Sequence, residues 1–214
     1  MKKLKKDSLF KGTALLSISL LLTKLLGAVY LIPFYQIIGG EEQMALFNYG
    51  YSYYATILEI SAAGTPLAIA KLVAKYNALE QYDVSRRIVK LGSWLLVVMG
   101  MLGFCILFFG SDFISEQILI SKQQKFLPSD GALVLKSLSF GIPLVLVSAG
   151  FRGLFQAHEI MLPSALSQFI EQVVRIAFML GATYFVMRVL GYGVVEGNVT
   201  ATFAAAVGAV FSLL

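Results

Sequence analysis

From Leu91 to Gly110 the chain reads LGSWLLVVMGMLGFCILFFG, without an acid, a base or a proline. About 20 apolar residues are enough for a helix to cross the roughly 30 Å hydrocarbon core of a bilayer. Inside that core each backbone N–H and C=O must be satisfied within the protein, and a helix does this within one segment. The rest of the chain repeats the theme. Hydrophobic residues make up 58% of it and charged residues only 14%, against about 25% charged in soluble domains. So few charges cannot give 214 residues a polar shell.

Length and apolarity predict an all-α, polytopic membrane bundle with six transmembrane helices, over about 9–38, 44–70, 88–109, 132–156, 162–187 and 198–214. The sixth span is still running at Leu214, in AAAVGAVFSLL, so the expectation is a fragment of a longer protein. The lysine-rich start is not read as a signal peptide. Its apolar run continues past Lys24 to Ile38, about twice an ordinary signal core, with no small-x-small cleavage site. The single Cys105 lies in GFCILFF and reads as a small buried hydrophobe.

The net charge of +5 is a topology signal rather than a nucleic-acid footprint. Lys2, Lys3, Lys5, Lys6, Lys11, Lys71, Lys75, Arg86, Arg87, Lys90 and Arg152 fall on one side of the predicted membrane, and only Lys122, Lys125 and Arg188 on the other. The positive-inside rule makes the richer side cytoplasmic, the N-terminus included. GGEEQ and the aromatic run FNYGYSYY then lie at the outer boundary, and DFISEQILI reads as a short amphipathic piece on the outer surface. The basic AKYNALEQYDVSRRIVK reads as a helical extension and an interfacial helix.

Five ionisable residues fall inside spans: Lys24, Glu59, Lys136, Glu171 and Arg175. Such groups are costly in lipid and mark candidate sites. Lys136, near the end of its span, can snorkel. The others align with further polar or small residues at helical spacing. Span one carries Thr13, Ser17, Lys24 and Gly27; span two Asn48, Ser52, Glu59 and Pro66. Span four carries Gly141, Ser148 and Arg152; span five Ser164, Gln168, Glu171 and Arg175. Each set lies on one helix face. Stripes on four helices predict a shared polar cavity, with span three turned to lipid. The alternative is structural: Glu171 neutralises Arg175 one turn on, and Lys24 pairs with Glu59 across helices. Pro33, Pro66, Pro143 and Pro163 suit broken or bent helices.

Enzyme motifs are missing. No GxxxxGK[ST] stands in the chain, so no ATPase site is expected. HEIML begins like a zinc-protease motif, but Leu162 stands where the second histidine must be, and His158 is the only histidine. No catalytic residue, cofactor or metal site is expected.

LLTKLLGAVYLIPFYQIIGGE, GTPLAIAKLVAKYNA and FRGLFQAHEIMLPSALSQFIEQVVRI resemble the polysaccharide biosynthesis branch of the multidrug/oligosaccharidyl-lipid/polysaccharide exporter superfamily. Within it, the chain resembles the group of Gram-positive lipid II flippases and stage V sporulation protein B. The resemblance implies two six-helix lobes around a cationic central cavity, of which this chain would be the first. It implies flipping of a lipid-linked sugar diphosphate, with lipid II for peptidoglycan the expected substrate, across the bacterial cytoplasmic membrane by alternating access. Membrane lipid and a coupling ion are the other partners it suggests; nucleic acid is not. Lys24 falls where that group has a basic cavity residue. The candidate cavity set is Lys24, Arg175, Glu59, Glu171, Arg152 and Gln168. Two readings stand beside this one: a cation-coupled multidrug exporter of the same fold, and a membrane-embedded glycosyl- or acyltransferase. A non-transporting scaffold of the cell-wall machinery is a third.

Overall fold

A computed structural model describes residues 2–62, 64–121, 126–158 and 160–213, and among these the side chains of all but residues 2–11, 13, 15 and 118–121. Apart from one π-helical turn, Phe185–Val189, the regular elements are α-helices: α1 Lys2–Val29, α2 Leu31–Ile38, α3 Glu41–Ala62, α4 Thr65–Ala78, α5 Tyr82–Phe109, α6 Ser111–Ser121, α7 Pro128–Ser139, α8 Gly141–Ala157, α9 Met161–Tyr184 and α10 Val194–Leu213. They combine into six stretches long and apolar enough to cross a membrane: Leu16–Ile38, Glu41–Ala78, Tyr82–Phe109, Pro128–Ala157, Met161–Val189 and Val194–Leu213. The protein is a multi-pass, all-α membrane bundle, as its sequence predicts.

The prolines explain where the spans break. All five (Pro33, Pro66, Pro128, Pro143 and Pro163) stand in the first turn of a helix, where a fixed φ fits and the N–H is not needed. Spans one, two and four are consequently each two helices end to end, parted at Tyr30, at Gly64 and at Phe140. Gly64 takes φ +71°, a left-handed turn that suits a residue without Cβ.

Two apolar clusters form the core. One gathers Leu46, Tyr54, Leu96, Leu107, Val134, Leu138, Ile142 and Leu146 from α3, α5, α7 and α8. The other sets Phe34, Ile38, Phe47 and Met179 against Ala201 and Ala204 of α10. α5 turns Gly92, Leu96, Gly100, Gly103 and Leu107 inward and leaves Leu91, Trp94, Leu95, Val98, Met101, Leu102, Ile106 and Phe109 exposed. From Trp94 to Phe109 its outer face is thus apolar, which suits lipid.

The stretch after span three forms α6, packed along α7. Ser111 and Ser115 face inward while Phe113 stays exposed. Lys136 does not rely on snorkelling: its ammonium meets the Asp112 carboxylate at 3.1 Å. The expected cations Lys122 and Lys125 and the residue Glu159 lie outside the described residues.

Candidate functional site: a charged cavity between α1, α8 and α9

The α1–α9 seam is tied by Ser19, whose hydroxyl donates to the Ala165 carbonyl at 2.9 Å. Beside it opens a cavity of about 360 Å³, lined by Leu20, Thr23, Lys24 and Gly27 of α1, Arg152 of α8, and Gln168, Glu171, Gln172 and Arg175 of α9. Each of the three helices presents polar side chains there, α8 through Arg152 alone. On α9, residues 168, 171, 172 and 175 share one face by the 3.6-residue period.

The charges pair across helices. Glu171 Oε2 accepts from Arg152 Nη1 at 2.6 Å, and both side chains are 12% exposed. The α8–α9 connection helps to set this pair, since the Ser164 hydroxyl donates to the Arg152 carbonyl at 3.1 Å. Glu171 therefore does not neutralise Arg175, its neighbour one turn on. Arg175 instead donates through Nη2 to Oε1 of Gln172. A neutral amide orients the guanidinium but leaves its charge uncompensated. Among the described residues no carboxylate lies within ion-pair distance of Arg175 or Lys24. Three cations (Lys24, Arg152, Arg175) against one carboxylate (Glu171) leave the cavity lining at +2. Two of those cations remain available to an anion.

The walls are held from behind. α10 passes so close to α9 that a Cβ on Gly208 would lie 2.9 Å from both the Glu171 carbonyl and Arg175 Cβ. Any larger residue would push the turn bearing both charges. Gln172 is only 4% exposed, and a Cβ on Gly27 of α1 would meet its Nε2 at 3.4 Å. The Gln168 Oε1 is buried without a hydrogen-bond donor, an acceptor left on the same wall.

Five of the six candidate residues thus meet in one place: Lys24, Arg152, Gln168, Glu171 and Arg175. Glu59 does not join them. Asn48, Ser52 and Glu59 do form one polar stripe on α3, but it is exposed and does not line the cavity. Glu59 also makes no ion pair with Lys24. The stripe on span four is divided. Ser148 turns to α10, hydroxyl to hydroxyl with Ser212 at 2.5 Å, and Gly141 packs on Ala205, so Arg152 alone reaches the cavity. Gln172 is the residue that sequence reasoning missed. Its i, i+3 spacing to Arg175 was the available signal, masked by the i, i+4 acid beside it.

Comparison with known proteins agrees with this picture. The chain is 39% identical over 204 residues to the lipid II flippase MurJ of Bacillus subtilis, covering 95% of this chain and 37% of that protein. It is 27% identical over 209 residues to stage V sporulation protein B of the same organism, covering 98% of this chain and 38% of the relative. The chain therefore spans a little over a third of the length of these curated relatives. No solved structure matches it. The family model for polysaccharide biosynthesis protein matches residues 9–214, and the chain belongs to that family.

Proposed function

We propose that this chain forms one six-helix lobe of a two-lobe flippase that moves a lipid-linked oligosaccharide, lipid II being the substrate we favour, across the bacterial cytoplasmic membrane. The protein is read as a transporter and not an enzyme, with the N-terminus on the cytoplasmic side. The observation that carries this reading is the pair of uncompensated cations, Lys24 on α1 and Arg175 on α9, on facing walls of one cavity. A sugar diphosphate carries its charge at the junction with its lipid. Guanidinium and ammonium groups in a low-dielectric setting are the donors that such an anion needs. Arg152 and Glu171 neutralise each other and shape the wall between them. Gln168 offers its free acceptor to a sugar hydroxyl. Glu59, away from the cavity on an exposed polar face, is read as the group that senses a coupling ion. Support comes from the family match and from a relative named as a lipid II flippase. A cation-coupled drug exporter would call for an anionic cavity, and this one is cationic.

Binding of a polyprenyl diphosphate to the detergent-solubilised chain tests the reading. Lys24→Ala and Arg175→Ala should each weaken binding at least tenfold, with Lys24→Arg keeping part of it. Unchanged binding in both alanine variants would overturn the assignment. So would restoration by Lys24→Ala with Glu59→Ala, which would make Lys24 a mere partner of Glu59.

A further inference from the structure

The two uncompensated cations of the cavity, Lys24 and Arg175, are not equivalent. They stand at different depths. The Ser19 hydroxyl of α1 meets the Ala165 carbonyl of α9, and a Cβ on Gly27 would meet the Gln172 side chain at 3.4 Å. Ser19 thus stands level with Ala165 and Gly27 with Gln172, so α1 and α9 run parallel in steady register. Lys24 then falls level with about Ile170, a little over one turn before Arg175. At 1.5 Å per residue this sets the two Cα atoms about 7 Å apart along the bundle.

They are also held differently. Lys24 is exposed, and among the described residues its ammonium has no hydrogen-bond partner. Arg175 is half-buried and donates to the Gln172 side chain. Gln172 is itself buried, wedged at the seam beside Gly27. Behind Arg175, α10 presses on the backbone at Gly208. Lys24 is therefore a loose charge that water reaches, and Arg175 an aimed fork of donors.

We propose that Lys24 captures the anionic head group and Arg175 retains it, with Gln172 the positioning residue that aims Arg175; this division of labour rests on the cavity reading above. An exposed charge attracts an anion before contact, so it governs the rate of encounter and is screened by salt. A charge-assisted bond from a half-buried, oriented guanidinium acts only on contact, so it governs release. Arg152 adds little at range, because Glu171 cancels its charge. With the N-terminus read as cytoplasmic, Lys24 lies on the cytoplasmic side of Arg175, which puts capture before retention on the way in.

Surface plasmon resonance of farnesyl diphosphate on the immobilised, detergent-solubilised chain, at low and at high salt, separates the roles. The parent should bind, and associate faster at low salt. Lys24→Ala should slow association about tenfold and flatten its salt dependence, with dissociation little changed. Lys24→Arg should keep the association rate. Arg175→Ala should do the reverse of Lys24→Ala, speeding dissociation about tenfold with association little changed. Gln172→Leu leaves both charges in place and should speed dissociation alone, at least threefold. A merely structural Gln172 would lower the amount of active protein and move neither rate. If both alanine variants alter the same rate constant, or Lys24→Ala chiefly speeds release, the division is overturned while the cavity reading stands. No binding by the parent overturns the cavity reading, and the division with it. Should Arg175→Ala not fold, Arg175→Lys, which keeps the charge but not the fork, should still speed dissociation and is read by the same rule.

Discussion

α5 and α9 both cross the membrane and both pack on α8, yet by opposite means. α5 meets its neighbours through what its side chains lack: a Cβ on Gly100 would stand 2.9 Å from the Pro143 Cα. α9 meets α8 through a carboxylate on Arg152 and a hydroxyl on its carbonyl. In lipid, close backbone approach and interhelical polar bonds are the two main sources of helix association. The first leaves nothing over, and α5 offers lipid a plain apolar face. The second leaves donors over, and a cavity forms where they collect.

The sharpest way to break this contrast is on α9. Glu171→Leu strands Arg152 against the cavity wall, and losing one partner of a mostly buried pair costs about 3 kcal/mol. Chemical unfolding in detergent should show that loss, and Arg152→Leu added to it should recover most of it. A silent Glu171→Leu would mean that packing alone holds α9, as it does α5. On α5, Gly100→Val should cost about 2 kcal/mol by overpacking Pro143; a neutral result would show that the glycine seam is slack. Gln172→Leu is milder. Arg175 loses its acceptor, for about 1 kcal/mol, but its guanidinium is no longer aimed, so arginine-directed modification of Arg175 should change rate while the fold stays. An unaltered rate would remove Gln172 from the site. Glu59→Gln should be smallest, within about 0.5 kcal/mol, as for an exposed residue without a partner.

The spans, and the polar faces of α3 and α9, were legible because length, apolarity and the 3.6-residue period are local properties, whereas the stripe read on span four proved divided. The stripe on α3 is real: Asn48, Ser52 and Glu59 share an exposed face. Periodicity shows that such a face exists but not what it confronts, so Glu59 looked equivalent to Lys24. The partner of Glu171 was hidden for a related reason. Sequence spacing displays neighbours on the same helix, and Arg175 stood at the ideal interval. The structure chooses Arg152, 19 residues upstream, because α8 crosses α9 at that turn. The roles of Gly27 and Gly208 were equally out of reach, since each depends on the helix opposite. Residues that look like spacers turn out to decide where the charges point.

The helix-starting prolines have one more consequence. A proline has no N–H to give the carbonyl four residues before it, which for Pro33, Pro66 and Pro143 belongs to Val29, Ala62 and Ser139. Three of the six spans thus contain a joint at which one ladder bond is absent from the outset. Bending a span there breaks no bond that proline had made, whereas bending α5 or α9 mid-length would tear bonds that lipid cannot replace. The bundle is in this sense articulated: stiff rods in α5 and α9, and jointed rods in the first, second and fourth spans. Of the cavity's walls, α9 belongs to a stiff rod, while α1 and α8 each end at a joint, at Tyr30 and at Phe140. Both joints lie beyond the ties that hold α1 and α8 to α9, through Ser19 and through Arg152, so the turns that carry the charges stay together.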